Sequence, residues 1–129
     1  MNLLLDTHVL LWAATEPDRL GQQARQLVED GANDVFVSVV SAWEIAIKQS
    51  LGKLQLAQPA EVWLPDVIRR TGFGIAPVEL GAALRVRSLL WHHRDPFDRL
   101  IIAQALDGGF TIVTHDEVFS RYGVGLIKT

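Results

Sequence analysis

The sequence places four acidic residues where strands are expected to end or helices to begin: Asp6, Glu44, Asp98 and Asp116. Carboxylates that converge raise one another's pKa unless a hard cation compensates their charge. Mg²⁺ and Mn²⁺ prefer such oxygen ligands, and they activate water while stabilising the charge that develops on a phosphodiester. The four acids therefore predict a divalent-cation site suited to phosphodiester hydrolysis. We expect Asp6 and Asp98 as firm ligands, Asp116 as a direct or water-mediated ligand, and Glu44 as an outer ligand or water-positioning group.

The segments that carry these acids alternate between strand and helix. A leucine-rich run before Asp6 is typical of a strand buried on both faces, after which Thr7 is expected to cap a helix. Asp95 followed by Pro96 is typical of a helix start. The predicted strands are residues 2–6, 34–38, 73–76, 111–114 and 124–127, and the predicted helices are residues 7–13, 21–30, 41–50, 59–70, 81–91, 96–106 and 116–120.

This alternation predicts one domain over residues 1–129 with an α/β fold. The fold is expected to have three layers: a largely parallel central sheet of four to five strands, with a layer of helices on each of its two faces. Crossover helices run antiparallel to the strands that they join, so their N-termini lie at the carboxyl edge of the sheet. Asp6 and Asp116 follow strands, and Glu44 and Asp98 lie in predicted first helical turns. The topology therefore brings all four acids to the edge where α/β sheets bind ligands.

Three of the acids also have a purely structural explanation. Ser41 and Glu44 have the spacing of a capping box, Asp98 suits the positive end of a helix dipole, and Asp116 could cap a short helix. Asp6 has no such explanation, because a charge that ends a buried leucine strand is costly unless something pairs with it. The joint placement of the four residues is what favours a functional site.

Composition excludes several classes of protein. With 129 residues, 49% of them hydrophobic, the chain is suited to a packed core rather than to disorder. It has no cysteine, so disulfides and thiolate metal sites are excluded. No apolar stretch approaches the length of a membrane span and no basic signal segment is evident, so we expect a cytoplasmic protein. The net charge of −3 does not exclude RNA binding. Once the four predicted metal ligands are set aside, 11 Asp and Glu residues remain against 12 Lys and Arg residues.

Other side chains near the predicted site allow two interpretations. Five basic residues could hold phosphates or form a solvated surface: Lys48, His92, His93, Arg94 and Arg99. Three tryptophans could stack on bases, although we expect them in the core: Trp12, Trp43 and Trp91. His8 and His115 adjoin two of the acids, and a carboxylate–metal mechanism does not require them.

Four strings that contain the acids resemble the PIN domain, specifically the VapC-type toxins of bacterial toxin–antitoxin pairs. They are LLDTHVLLW (residues 4–12), SAWEIAIK (41–48), DPFDRLIIAQA (95–105) and IVTHD (112–116). The resemblance covers nearly the whole chain and implies a PIN-like fold with these four acids as the catalytic set. It also implies an endoribonuclease that requires Mg²⁺ or Mn²⁺, inhibits translation, is neutralised by a cognate antitoxin and forms a homodimer.

Two rival classes fit the sequence less well, and a third stays open. A receiver-like signalling domain would need paired early acids and an Asp at the end of a middle strand, where this chain has Ser38. A phosphohydrolase with an Asp nucleophile would need a second Asp where His8 stands. A metal-binding PIN-like module that binds without cleaving is the alternative that the residues themselves leave open.

Overall fold

A computed structural model describes all 129 residues, and its centre is a five-stranded sheet in the order β3-β2-β1-β4-β5. Every neighbouring pair of strands is parallel. This confirms the predicted α/β architecture with a parallel central sheet. The strands are β1 (Asn2–Leu5), β2 (Asp34–Ser38), β3 (Gly74–Ala76), β4 (Thr111–Thr114) and β5 (Leu126–Lys128).

Six α-helices connect and cover these strands. Short 3₁₀ helices add to them at Pro17–Leu20, Val86–Ser88 and Glu117–Tyr122. The longest helix has 13 residues, and none of the helices has the length and apolar character that a membrane span requires. The α-helices are α1 (Thr7–Thr15), α2 (Gln22–Glu29), α3 (Val39–Ser50), α4 (Ala60–Thr71), α5 (Leu80–Arg85) and α6 (Pro96–Gly108).

Strand β1 lies in the middle of the sheet and separates two hydrophobic cores. Leu3 and Leu5 point into the core that contains α1, α2 and α4, whereas Leu4 points into the core that contains α6. All three leucines are fully buried, as expected for a central parallel strand covered by helices on both faces. The two cores confirm the predicted three-layer arrangement.

Helix α3 begins earlier than the sequence predicts. Its N-cap is Ser38, the last residue of β2, whose hydroxyl accepts the N–H of Val40 at 2.9 Å. The predicted capping box of Ser41 and Glu44 is therefore wrong, and Glu44 lies in the second turn rather than the first. The physical reason is that β2 leads directly into α3 without a loop, so the serine at the strand end reaches the free N–H groups first.

The predicted helix over residues 81–91 is also too long. Helix α5 ends at Arg85, is followed by a 3₁₀ turn, and residues 89–95 have neither helical nor strand structure. The buried guanidinium of Arg99 donates hydrogen bonds to the backbone carbonyl oxygens of Leu89 and Leu90, at 3.2 and 2.8 Å. These interactions replace the helical hydrogen bonds that a continued α5 would provide.

Candidate functional site

Asp6 immediately follows β1 and serves as the N-cap of α1, a position that the sequence assigns to Thr7. Its Oδ1 accepts the N–H of Val9 at 2.8 Å, and its Oδ2 accepts the hydroxyl of Thr114 at 2.5 Å. Burial raises the pKa of this carboxyl group, while the two hydrogen bonds partly oppose that rise. The side chain is thus fixed in orientation before any ligand binds.

Glu44 is buried and held by two donors from different elements. Thr7 donates its hydroxyl to Oε1 at 2.6 Å, and Lys48 donates its ammonium to Oε2 at 2.5 Å. A hydrogen bond of 2.9 Å between the hydroxyls of Thr7 and Ser41 completes the cluster. The bond to Glu44 raises the pKa of Lys48, to which the charges of Asp95 and Asp98 also contribute. Glu44 therefore has no capping role, and its carboxylate lies beside the positively charged ammonium of Lys48.

Asp98 lies in the first turn of α6, three residues after the N-cap Asp95. The Asp95 carboxylate accepts hydrogen bonds from the backbone N–H groups of Phe97 and Asp98 at 2.9 and 3.2 Å. No donor forms a hydrogen bond with the Asp98 carboxylate, although its side chain is only 19% exposed. Burial raises the pKa of Asp98 to about 8, with further contributions, in decreasing order, from Asp95, Asp6, Glu44 and Asp116. Asp98 is therefore the carboxylate in the site that most lacks a compensating positive charge.

Asp116 follows β4 and is the N-cap of the last 3₁₀ helix, as the sequence predicts. Its Oδ1 accepts the N–H of Val118 at 3.0 Å, and its own N–H donates to the hydroxyl of Thr114, also at 3.0 Å. Thr114 therefore links Asp116 to Asp6, because the same hydroxyl donates to the Asp6 carboxylate. Thr7 and Thr114 hold two of the acids, a role that the sequence analysis did not predict for either, although each lies one or two positions from an acid.

The four predicted acids thus interact electrostatically at the carboxyl edge of the sheet. They do not form a closed cluster of three or more ligands around one point. Asp6 and Asp116 line an open cavity of about 640 Å³, while Glu44 and Asp98 lie outside it, beside Lys48 and His93. A separate apolar groove of about 450 Å³ contains none of the four acids.

His93 and Tyr122 form a polar network behind Asp98. Tyr122 Oη lies 2.6 Å from His93 Nδ1, 3.2 Å from the backbone nitrogen of His93 and 3.3 Å from Arg99 Nη1. The other ring nitrogen, His93 Nε2, is buried without a hydrogen-bond partner and lies 3.4 Å from Asp98 Oδ2. Tyr122 is distant from Asp98 in sequence, so no local pattern indicated this network.

Several of the flanking residues are placed differently from expectation. Arg99 is buried inside the protein, so neither a phosphate contact nor a solvated surface describes it. Trp91 is 73% exposed and lies over the Arg99 guanidinium at 3.8 Å, and Trp43 is 55% exposed with its ring edge against Phe97. The prediction that these two tryptophans belong to the core is wrong. Trp12 is half-buried against the core.

Comparisons with known proteins identify relatives over nearly the whole chain. The profile of the PIN domain matches residues 3–125. The chain is 36% identical over 116 residues to ribonuclease VapC22 of Mycobacterium tuberculosis, covering 89% of this chain and 87% of that protein. It is 44% identical to ribonuclease VapC16 of the same organism over 50 residues, which are 39% of this chain and 36% of the relative.

Solved structures show the same fold at low sequence identity. VapBC2 from Rickettsia felis, crystallised with a DNA fragment from its promoter, has a TM-score of 0.73 and 19% identity, covering 99% of this chain and 98% of that one. DNA-bound VapBC from Salmonella typhimurium has a TM-score of 0.71 and 18% identity over the same shares. Together with the profile match and the 36% identical relative, these findings show that the chain belongs to the PIN domain family.

Proposed function

We propose that this chain is a metal-dependent endoribonuclease of the VapC type and the toxin of a toxin–antitoxin pair. The observation that carries the proposal is the Asp98 carboxylate, which is mostly buried, has no hydrogen-bond donor and is repelled by four other acids, three of them in the proposed site. The curated relatives are named ribonucleases, and the similar structures include VapBC complexes. The remaining expectations are a single PIN domain over residues 1–129 that works in the cytoplasm as a homodimer, with an antitoxin as its protein partner.

The side chains at the site fit a hard divalent cation such as Mg²⁺ or Mn²⁺. The donors are carboxylate oxygens, and their mutual repulsion is relieved when a cation binds. We assign Asp6 and Asp98 as ligands, Asp116 as a direct or water-mediated ligand, and Glu44 as an outer ligand or a residue that positions water. When bound, the cation supplies an activated water and stabilises the charge that develops on the phosphodiester.

The chain itself contributes orientation and a second positive charge. Thr7 and Lys48 hold the two oxygens of Glu44, so that its carboxylate can accept a hydrogen bond from water in one fixed direction. Thr114 holds Asp6 in the same way. The Lys48 ammonium contacts Glu44, and from this position it can stabilise negative charge on the phosphate of a bound RNA.

His93 acts in this proposal as a positioning residue for Asp98. Tyr122 Oη accepts hydrogen bonds from the His93 N–H and from Arg99, so the remaining hydroxyl hydrogen points to His93 Nδ1. This arrangement favours the tautomer whose proton is on Nε2, the ring nitrogen that lies 3.4 Å from Asp98 Oδ2 and has no hydrogen-bond partner. A histidine in such a position orients a ligating carboxylate, as outer-shell partners do in other metal sites.

Replacing Tyr122 with phenylalanine tests this role, because the phenyl ring keeps the packing but cannot fix the histidine tautomer. We expect Mn²⁺ affinity, measured by calorimetry without RNA, to fall by about tenfold. Nitrogen-15 spectra of His93 in the metal-free protein should show the proton on Nε2 in the wild type and a mixture of tautomers in the variant. Unchanged affinity and unchanged spectra would remove His93 from the site.

The function itself is tested by expressing the chain alone and together with the small protein encoded beside its gene. Expression alone should stop growth and degrade RNA, Asp6→Asn should be harmless, and the neighbouring protein should restore growth. Purified wild-type protein should cleave total RNA only when Mn²⁺ or Mg²⁺ is present. Toxicity that persists in Asp6→Asn would separate growth inhibition from the site. Metal binding without cleavage would instead favour the non-cleaving binding module.

A further inference from the structure

The open cavity beside Asp6 and Asp116 has a wall that the proposed metal site does not use. This wall is formed by Trp12 of α1, Arg19 of the first 3₁₀ helix, and the imidazoles of His8 and His115. His8, Trp12 and Arg19 come from the segment between β1 and β2, and His115 comes from the segment after β4. The fold brings them together next to two of the proposed ligands. The cavity volume of about 640 Å³ lies within the range of small-ligand pockets and accommodates a nucleotide.

The wall consists of aromatic rings and one guanidinium that packs on one of them. Arg19 Cζ lies 4.6 Å above the Trp12 ring, the geometry of a cation–π contact. The His115 ring meets Trp12 edge-on, with ring centroids 5.2 Å apart, and its Nδ1 contacts Thr129 Oγ1 at 3.1 Å. Aromatic rings and guanidinium planes are the surfaces on which proteins bind unpaired bases and the adjacent phosphates.

Arg19 remains available to a ligand, because its only ion pair is weak. Its Nη1 lies 3.4 Å from Glu16, and the two side chains are 56% and 58% exposed. Ion pairs of this kind contribute little to stability, so the guanidinium can exchange Glu16 for a phosphate at small cost. The packing on Trp12 limits the directions in which its N–H groups can point.

The cavity is also lined by three acids, which select against a simple anion. Glu117 is paired with Lys128, so a free phosphate would be repelled mainly by Asp6 and Asp116. A phosphodiester chain satisfies both kinds of residue, because one phosphate can lie near the cation held by the acids while the next reaches Arg19. The cavity therefore suits a segment of single-stranded nucleic acid better than a free anion.

We propose that this cavity binds the nucleotide next to the scissile phosphate, with Arg19 contacting its phosphate and the exposed ring of His115, supported by Trp12, contacting its base. The proposal rests on the proposed ribonuclease function and extends it to a specific substrate position. Because aromatic stacking accepts any base, this position holds the RNA in register without selecting a sequence.

The test compares three substitutions in steady-state cleavage of a short fluorogenic single-stranded RNA with Mn²⁺. Arg19→Gln should raise KM about tenfold and leave kcat within about twofold, because a charge-assisted phosphate contact is lost outside the reacting group. The slope of log(kcat/KM) against log salt should become shallower by about 0.7, the value for one phosphate contact on a single strand. Glu16→Gln removes the same ion pair but keeps the guanidinium, so it should leave KM unchanged or lower it. Arg69→Gln, on the exposed side of α4, should change neither value.

The outcomes separate the inference from the function on which it rests. Wild-type KM and salt slope in Arg19→Gln, with active wild-type enzyme, would overturn the nucleotide site and leave the nuclease assignment intact. Equal losses in Arg19→Gln and Glu16→Gln would overturn it as well, because the ion pair rather than the guanidinium would then matter. A wild-type protein that cleaves no RNA with Mn²⁺ would overturn both.

Discussion

Replacing Asp98 with asparagine should reduce Mn²⁺-dependent RNA cleavage by at least about a hundredfold and leave the fold intact. The amide keeps the size of the carboxyl group but removes the charge that binds the cation. Asp98 has the least compensated carboxylate of the four, so its loss affects the proposed site most directly. Cleavage of an RNA oligonucleotide and calorimetric Mn²⁺ binding should fall together, while circular dichroism stays unchanged.

The same substitution should stabilise the metal-free protein at neutral pH. The pKa of Asp98 is raised from its ordinary value of 3.8 to about 8 in the folded state, so the folded protein binds this proton more tightly than the unfolded chain. The contribution of Asp98 to stability is therefore fully present below the unfolded pKa and is lost as the pH rises through about 8. In EDTA, Asp98→Asn should show a smaller decline with pH than the wild type, because only the raised pKa of Asp6 remains, and it should unfold at a higher temperature near pH 8. A wild-type Tm independent of pH across this interval would contradict the environment assigned to Asp98.

Asp95→Asn is the matched control, since it removes a neighbouring charge without removing a proposed ligand. Asparagine is also a good N-cap, so the hydrogen bonds to the N–H groups of Phe97 and Asp98 can persist. Activity should stay within a few-fold of the wild type. An equal loss of cleavage in Asp95→Asn and Asp98→Asn would show that the third ligand is misassigned.

Replacing Arg99 with methionine should destabilise the protein by at least about 2 kcal/mol, because one buried and one part-buried carbonyl oxygen lose their donor. The Arg99 guanidinium donates to Leu90 and Leu89 at 2.8 and 3.2 Å and holds the segment between α5 and α6. It also contacts Tyr122, so the His93 network should loosen as well. Urea denaturation measures the loss, and Arg99→Lys should be intermediate because an ammonium cannot reproduce the planar set of donors.

Arg94→Met provides the comparison, because Arg94 is exposed and only five positions away in sequence. Its stability should stay within about 0.5 kcal/mol of the wild type, as is usual for surface substitutions. If Arg99→Met were as stable as Arg94→Met, water would be replacing the guanidinium and the internal role of Arg99 would be wrong. A loss of RNA affinity in Arg94→Met alone would favour the phosphate-binding alternative for that residue.

The sequence alone was enough to predict the parallel sheet and the edge at which the four acids lie. The alternation of strands and helices leaves few topologies, and in parallel sheets strand ends and crossover helix starts share one edge. Asp6, Asp98 and Asp116 reached that edge as predicted. Glu44 also reached it, although the helix that carries it begins at Val39 rather than at the predicted capping box. The topology was therefore more reliable than the exact boundary of any helix.

Only the tertiary structure decided what surrounds each acid. Lys48 contacts Glu44, Tyr122 fixes His93 behind Asp98, and Arg99 lies inside the protein. Periodicity in a sequence indicates which side of a helix is apolar, but it does not indicate which distant residue lies opposite. The pairs Thr114–Asp6 and Tyr122–His93 are 108 and 29 positions apart, so their hydrogen bonds depend on packing that no local pattern encodes. The spacing of Trp43 and Trp91 among leucines predicted that both lie in the core, and this was wrong. Their exposed positions beside Phe97 and Arg99 depend on the same tertiary packing.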